Sequence, residues 1–88
     1  MLRIDPDNLR AHIALGETFL RMEKLEEAQS HLERAAAIQR DIPRVYRSLG
    51  EIYMKRGLKQ QAVQAFRRSL SLEPGQDDVR RLLSTLGG

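Results

Sequence analysis

Eighty-eight residues, 41% of them hydrophobic and 31% charged, limit the chain to one small domain, because a polypeptide this short cannot enclose two cores. With no cysteine there is no disulfide framework, thiolate nucleophile or cysteine-based zinc site, and no apolar stretch approaches the roughly 20 residues that span a bilayer. Fifteen Lys and Arg against twelve Asp and Glu give a formal charge of +3, a weak lean towards acidic partners.

Aromatics are scarce, and Ala, Leu, Arg, Glu and Gln recur throughout, a composition of good helix formers that predicts an all-α fold. The opening residues MLRIDPDN lack the layout of a signal peptide, so a soluble, cytoplasmic protein is expected. Met1, Leu2 and Ile4 continue the phase of a helix whose earlier part would belong to a preceding unit. His12, Leu15, Gly16 and Phe19 then share one face of a first helix, which the polar break Met22-Glu23-Lys24 separates from a second helix faced by Leu25, Ala28, Leu32, Ala35 and Ala36. Pro43 suits a first helical position, where its missing N–H costs nothing, and Gly57 supplies the next turn. Pro74-Gly75 closes a fourth helix, and Val79, Leu82, Leu83 and Leu86 form one stripe on a short fifth that ends at Gly87-Gly88. Gly16 with Ala28, and Gly50 with Ala62, stand where paired helices must approach closely, while Phe19, Tyr53 and Phe66 fill the gaps between turns.

The elements repeat. Leu15 and Gly16 recur as Leu49 and Gly50, Phe19 as Tyr53, Ala28 as Ala62, Leu32 as Phe66 and Ile38 as Leu72, always 34 residues apart and without gaps. Ile4 stands in register with Ile38 and Leu72, and Pro6 with Pro74. The expected organisation is therefore the tail of a preceding unit (1–8), a first repeat (9–42), a second (43–76) and a capping helix (77–88), all one domain. The second unit, with Tyr46, Leu49, Gly50, Tyr53, Gly57, Ala62, Phe66, Ser69 and Pro74, resembles the tetratricopeptide repeat family, and only Ser69, in an alanine place, departs from its pattern. The first unit is a weaker copy, with Glu23 in the turn-glycine place and Arg40 in the proline place. The resemblance implies antiparallel helical hairpins stacked as a right-handed α-solenoid of about two and a half repeats, whose concave face, lined by each unit's first helix, receives a peptide or helix of another protein.

On that face the first unit presents Arg10, Ile13, Ala14, Glu17, Leu20 and Arg21; the second presents Arg44, Arg47, Ser48, Glu51, Met54 and Lys55; and Asp78, Arg81 and Leu82 follow. Basic groups outnumber acidic ones, so an acidic partner with an apolar anchor is expected. Against this, Glu17 with Arg21, and Arg47, Glu51 and Lys55 along one helix, have the spacing of pairs that simply neutralise one another. Relatives that clamp the terminal carboxylate of chaperone tails place Lys, Asn and Arg where this chain has Ile13, Glu17, Ser48, Asp78 and Leu82, so such tails are not expected partners.

Catalysis is not expected either. His12 and His31 are the only conspicuous catalytic or ligand candidates, neither has a partner set in the sequence, and no phosphate loop, nucleophile motif or metal-spaced carboxylate cluster occurs; catalytic, cofactor and metal sites are all expected to be absent. Arg67-Arg68 and Arg80-Arg81 invite a nucleic-acid reading that the shortage of free rings weakens. Because the first hairpin should remain partly uncovered, the chain is expected to be a segment of a longer repeat protein or, as the alternative, to pair with a second copy as a homodimer.

Overall fold

The structure, a computed structural model, describes residues 8–87. Five helices follow one another: α1 (Leu9–Arg21), α2 (Leu25–Ile38), α3 (Pro43–Lys55), α4 (Lys59–Leu72) and α5 (Asp77–Leu86). Their ends are set by local chemistry. The Asn8 side-chain oxygen accepts the Ala11 N–H at 3.0 Å, satisfying one orphan donor of α1. Pro43 opens α3 at a position that needs no donor. Asp77 and Asp78 lie in the first turn of α5, where carboxylates complement the positive end of the helix dipole, and Gly87 closes that helix in the left-handed region at φ 79°.

The two hairpin turns are built alike. After α3 the Leu58 N–H reaches back to the Tyr53 carbonyl at 2.8 Å and the Gly57 N–H to that of Met54 at 3.1 Å; after α1 the Lys24 and Glu23 N–H groups make the same bonds to Phe19 and Leu20. The motif requires a left-handed residue, which is Gly57 at φ 76° in one turn and Glu23 at φ 61° in the other. Glu23 therefore takes up the glycine's backbone geometry in spite of its side chain, at a steric cost that Gly57 does not bear.

Helices α1 and α2 form one antiparallel hairpin and α3 and α4 the next; α2 packs on α3, α4 on α5, and α1 touches α3. A Cβ built on Gly50 would lie 2.5 Å from the Phe66 ring, and one on Gly16 would lie 2.9 Å from Leu32 Cδ2, so each hairpin closes on a glycine that meets a fully buried side chain of the facing helix. The core comes in two parts. Ala28, Leu32, Ala35, Val45, Leu49, Ile52 and Ala65 join the hairpins, and Ala62, Phe66, Val79 and Leu83 join α4 to α5. Ser69, the one departure from the repeat pattern in the second unit, is fully buried; its hydroxyl donates to the Pro43 carbonyl at 3.0 Å and accepts from Gln76 Nε2 at 2.9 Å, which ties the start of α3 to the α4–α5 link.

Leu15 does not share the buried seam with Gly16. It is 43% exposed, whereas its counterpart Leu49 is 3% exposed, because α2 covers Leu49 and no described element stands in that place before α1. The residues expected to lead into that place, Met1, Leu2 and Ile4, lie outside the described residues.

Candidate functional site

The first helices stand side by side, and on their shared face two adjoining depressions open. One, of 290 Å³, is bounded by Arg10, Ile13, Ala14, Glu17 and Arg44. The other, of 420 Å³, takes in Glu17, Arg44, Arg47, Ser48 and Glu51 and reaches the α4–α5 link at Glu73 and Gln76. Six of the expected face residues, Arg10, Ile13, Glu17, Arg44, Arg47 and Glu51, are thus brought together, and Glu17 and Arg44 belong to both depressions. Leu20 and Met54 are half-buried and pack on the two parts of the core, so each offers only part of its surface. Arg21, Lys55 and Arg81 are exposed and bound neither depression.

The charge pairs differ from those that spacing along single helices predicts. Glu17 is bonded to Arg44 of the next first helix rather than to Arg21, Arg47 is bonded to Asp78 of α5, and Lys55 reaches Glu23 in the α1–α2 turn at 3.2 Å rather than Glu51. Stacking explains the change: packed hairpins hold neighbouring first helices close enough for long cationic side chains to reach across, and a carboxylate fixed on the next element outcompetes one four residues along. The Arg44–Glu17 bond is made through both Nε and an amino group, the two-pronged geometry suited to guanidinium and carboxylate. That bond, and then the carboxylate's charge, raise the Arg44 pKa above its ordinary value.

A separate depression of 220 Å³ lies between α3 and α4, bounded by Tyr46, Leu49, Tyr53 and Arg68 among others. The Arg68 guanidinium sits 5.6 Å from the centre of the Tyr46 ring. The Tyr53 hydroxyl donates to the Glu33 carboxylate at 2.7 Å, and burial first, then that bond, push its pKa above the usual range. His12 and His31, which the sequence left without partners, meet each other, their Nδ1 atoms 3.1 Å apart, and Phe19 stacks on His31 with ring centres 5.6 Å apart. The signal available for that meeting was their placement on the facing helices of one hairpin. Among the described residues no three His, Cys, Asp or Glu side chains gather to hold a metal ion, and no helix is long and apolar enough to cross a membrane.

A family model described as tetratricopeptide repeat matches residues 1–52, more than half of the chain, and a second of the same description matches residues 43–76. The chain belongs to the tetratricopeptide repeat family. Repeats of this family generally mediate protein–protein interaction and are generally not catalytic. Among solved structures the chain is similar to MamA, at 23% identity and a TM-score of 0.90, over 93% of this chain and 48% of that one. It is equally similar to the first TPR of Spaghetti (RPAP3) bound to the HSP90 peptide SRMEEVD, at 23% identity and a TM-score of 0.90, over 94% of this chain and 66% of that one. The tetratricopeptide chain described here thus spans between about half and two thirds of those chains' length, and at this identity the likeness shows the fold alone. No curated protein matches the sequence.

Proposed function

We propose that this tetratricopeptide module is a non-catalytic, cytoplasmic adaptor that holds a peptide or helix of another protein along the face formed by α1, α3 and α5. The observation that carries the reading is the pair of adjoining depressions on that face, which share Glu17 and Arg44 and so form one continuous track rather than isolated pockets. Ile13, with the free parts of Leu20 and Met54, supplies apolar anchorage. Arg10, Arg21 and Arg81 are exposed and meet no carboxylate among the described residues, so the ends of the track attract acidic groups of the partner. Chaperone tails are poor candidates, because Ile13, Glu17, Ser48, Asp78 and Leu82 stand where a carboxylate clamp carries Lys, Asn and Arg. Nor do the arginine pairs favour nucleic acid: Arg68 lies over Tyr46, and Arg80 donates to the Pro74 carbonyl at 2.7 Å.

Titrating the labelled chain with short Leu/Ser peptides that carry glutamates at both ends and following its amide resonances tests the track. Shifts confined to α1, α3 and the start of α5, weakened by Arg10→Glu with Arg81→Glu, are expected; shifts confined to α2 and α4 would refute it. These two arginines are chosen because their reversal leaves the Arg44–Glu17 and Arg47–Asp78 bonds in place.

One observation favours a second reading. Leu15, 43% exposed where Leu49 is 3% exposed, gives the first hairpin an apolar surface that a second copy could cover, making the module self-assembling. Molar mass by light scattering over a wide concentration range separates the two: a constant dimer supports self-assembly, and a monomer supports the open adaptor.

A further inference from the structure

Resting on the reading of this face as a peptide track, we propose that its central depression receives a lysine or arginine side chain of the partner. The composition of the face suggests the reverse, since Arg44 and Arg47 stand at its middle. Each of these arginines, however, is already bonded to a carboxylate of a neighbouring first helix, Arg44 to Glu17 and Arg47 to Asp78. What remains around the 420 Å³ depression is Glu51 from α3 and Glu73 from the end of α4, and neither meets a cation among the described residues. The local balance is therefore negative although the chain as a whole carries +3.

The uncharged groups point the same way. Ser48 lines the depression with 9% of its surface exposed, and its hydroxyl has no hydrogen-bond partner among the described residues, so its oxygen is free to accept from an incoming cation while its O–H turns to a neighbouring carboxylate. Gln76 offers no donor there, because its amide N–H groups are spent on the Ser69 carbonyl at 2.9 Å, the Ser69 hydroxyl at 2.9 Å and the Glu73 carbonyl at 3.0 Å. A depression in which both arginines are already charge-paired and two carboxylates are not matches an ammonium or guanidinium, which carries only donors. An acidic side chain would have to share Arg44 or Arg47 with the carboxylate already bonded to it and would lie beside Glu51 and Glu73, repelled by both.

The test uses the full chain and three short Leu/Ser peptides identical but for central lysines, glutamates or glutamines. The lysine peptide is expected to shift the amides of Ser48, Glu51 and Gln76 and to bind more weakly as salt is added. Glu51→Gln with Glu73→Gln should weaken it about tenfold, and Glu27→Gln on the exposed side of α2 should leave it unchanged. Equal or tighter binding of the glutamate or glutamine peptide on the same amides overturns the basic-side-chain assignment and leaves the track standing. No shift on α1, α3 and α5 with any of the three at millimolar peptide overturns the track and the assignment together.

Discussion

Replacing Gly50 with alanine puts one methyl group into the closest approach of α3 and α4. The new carbon would lie 2.5, 2.6 and 2.8 Å from three atoms of the Phe66 ring, all well inside van der Waals contact. The ring is fully buried and is held by Ala62, Val79 and Leu83, so it cannot swing into solvent to make room. Alanine gains about 1 kcal/mol over glycine in helix propensity. Forcing a carbon into a packed core costs about 1–3 kcal/mol, and with three ring atoms in the way the upper part of that range applies. The expected net loss is about 1–2 kcal/mol, from a total stability of about 4–13 kcal/mol for a chain of this length. Each kcal/mol lowers the melting temperature of so small a domain by about 4–8 °C. Urea denaturation followed by circular dichroism, with the slope unchanged, reads the effect directly, and Gly50→Leu should abolish the cooperative transition. A midpoint at or above that of the parent chain for either variant would refute the packing argument, because it would mean the hairpin has slack at the one position where the geometry allows none.

Glu23→Gly should stabilise the chain by about 1 kcal/mol, since it relieves a left-handed residue and loses only an exposed pair with Lys55; the urea midpoint should rise. Ser69→Ala should cost about 1–2 kcal/mol in the same assay even though it restores the residue usual at that place in the family, because it removes the Pro43 and Gln76 bonds of a buried hydroxyl. Tyr53→Phe tests the raised pKa. The folded chain keeps that proton beyond the ordinary 10.0, so the stabilising contribution is fully present below pH about 10 and is lost as pH climbs towards the raised folded value. Urea midpoints at about pH 8 and about pH 11 should therefore fall further for the parent chain than for Tyr53→Phe, and equal falls would discount the effect.

The helical phase of the sequence was enough to find the hairpins, because the apolar faces follow from spacing within one element, but it set Leu20 and Met54 on the outward face of α1 and α3, where both pack partly on the core. Pairing does not follow from spacing. Arg44 finds Glu17 across 27 residues of sequence and Arg47 finds Asp78 across 31, distances that no rule for a single helix can see. The meeting of His12 with His31, 19 residues apart, was hidden for the same reason. Leu15 and Leu49 carry the same local motif yet differ in exposure, since burial in a repeat depends on the neighbour and not on the repeat itself. Glu23 was legible as a departure from the pattern, but only the backbone shows that the turn kept its shape and left the cost on the side chain.

The division of the core sets how damage spreads through this module. Val79 and Leu83 of α5 are buried against Ala62 and Phe66, while Leu32, Val45 and Ile52 form a separate group, and Tyr53 alone among the half-buried rings touches both. Peeling α5 away would wet one side of α4 and release Arg47 from Asp78, yet it would leave the junction of α2 with α3 dry. Loosening at that end would therefore disturb only the last helix of the proposed peptide track and leave the face of α1 and α3 in place.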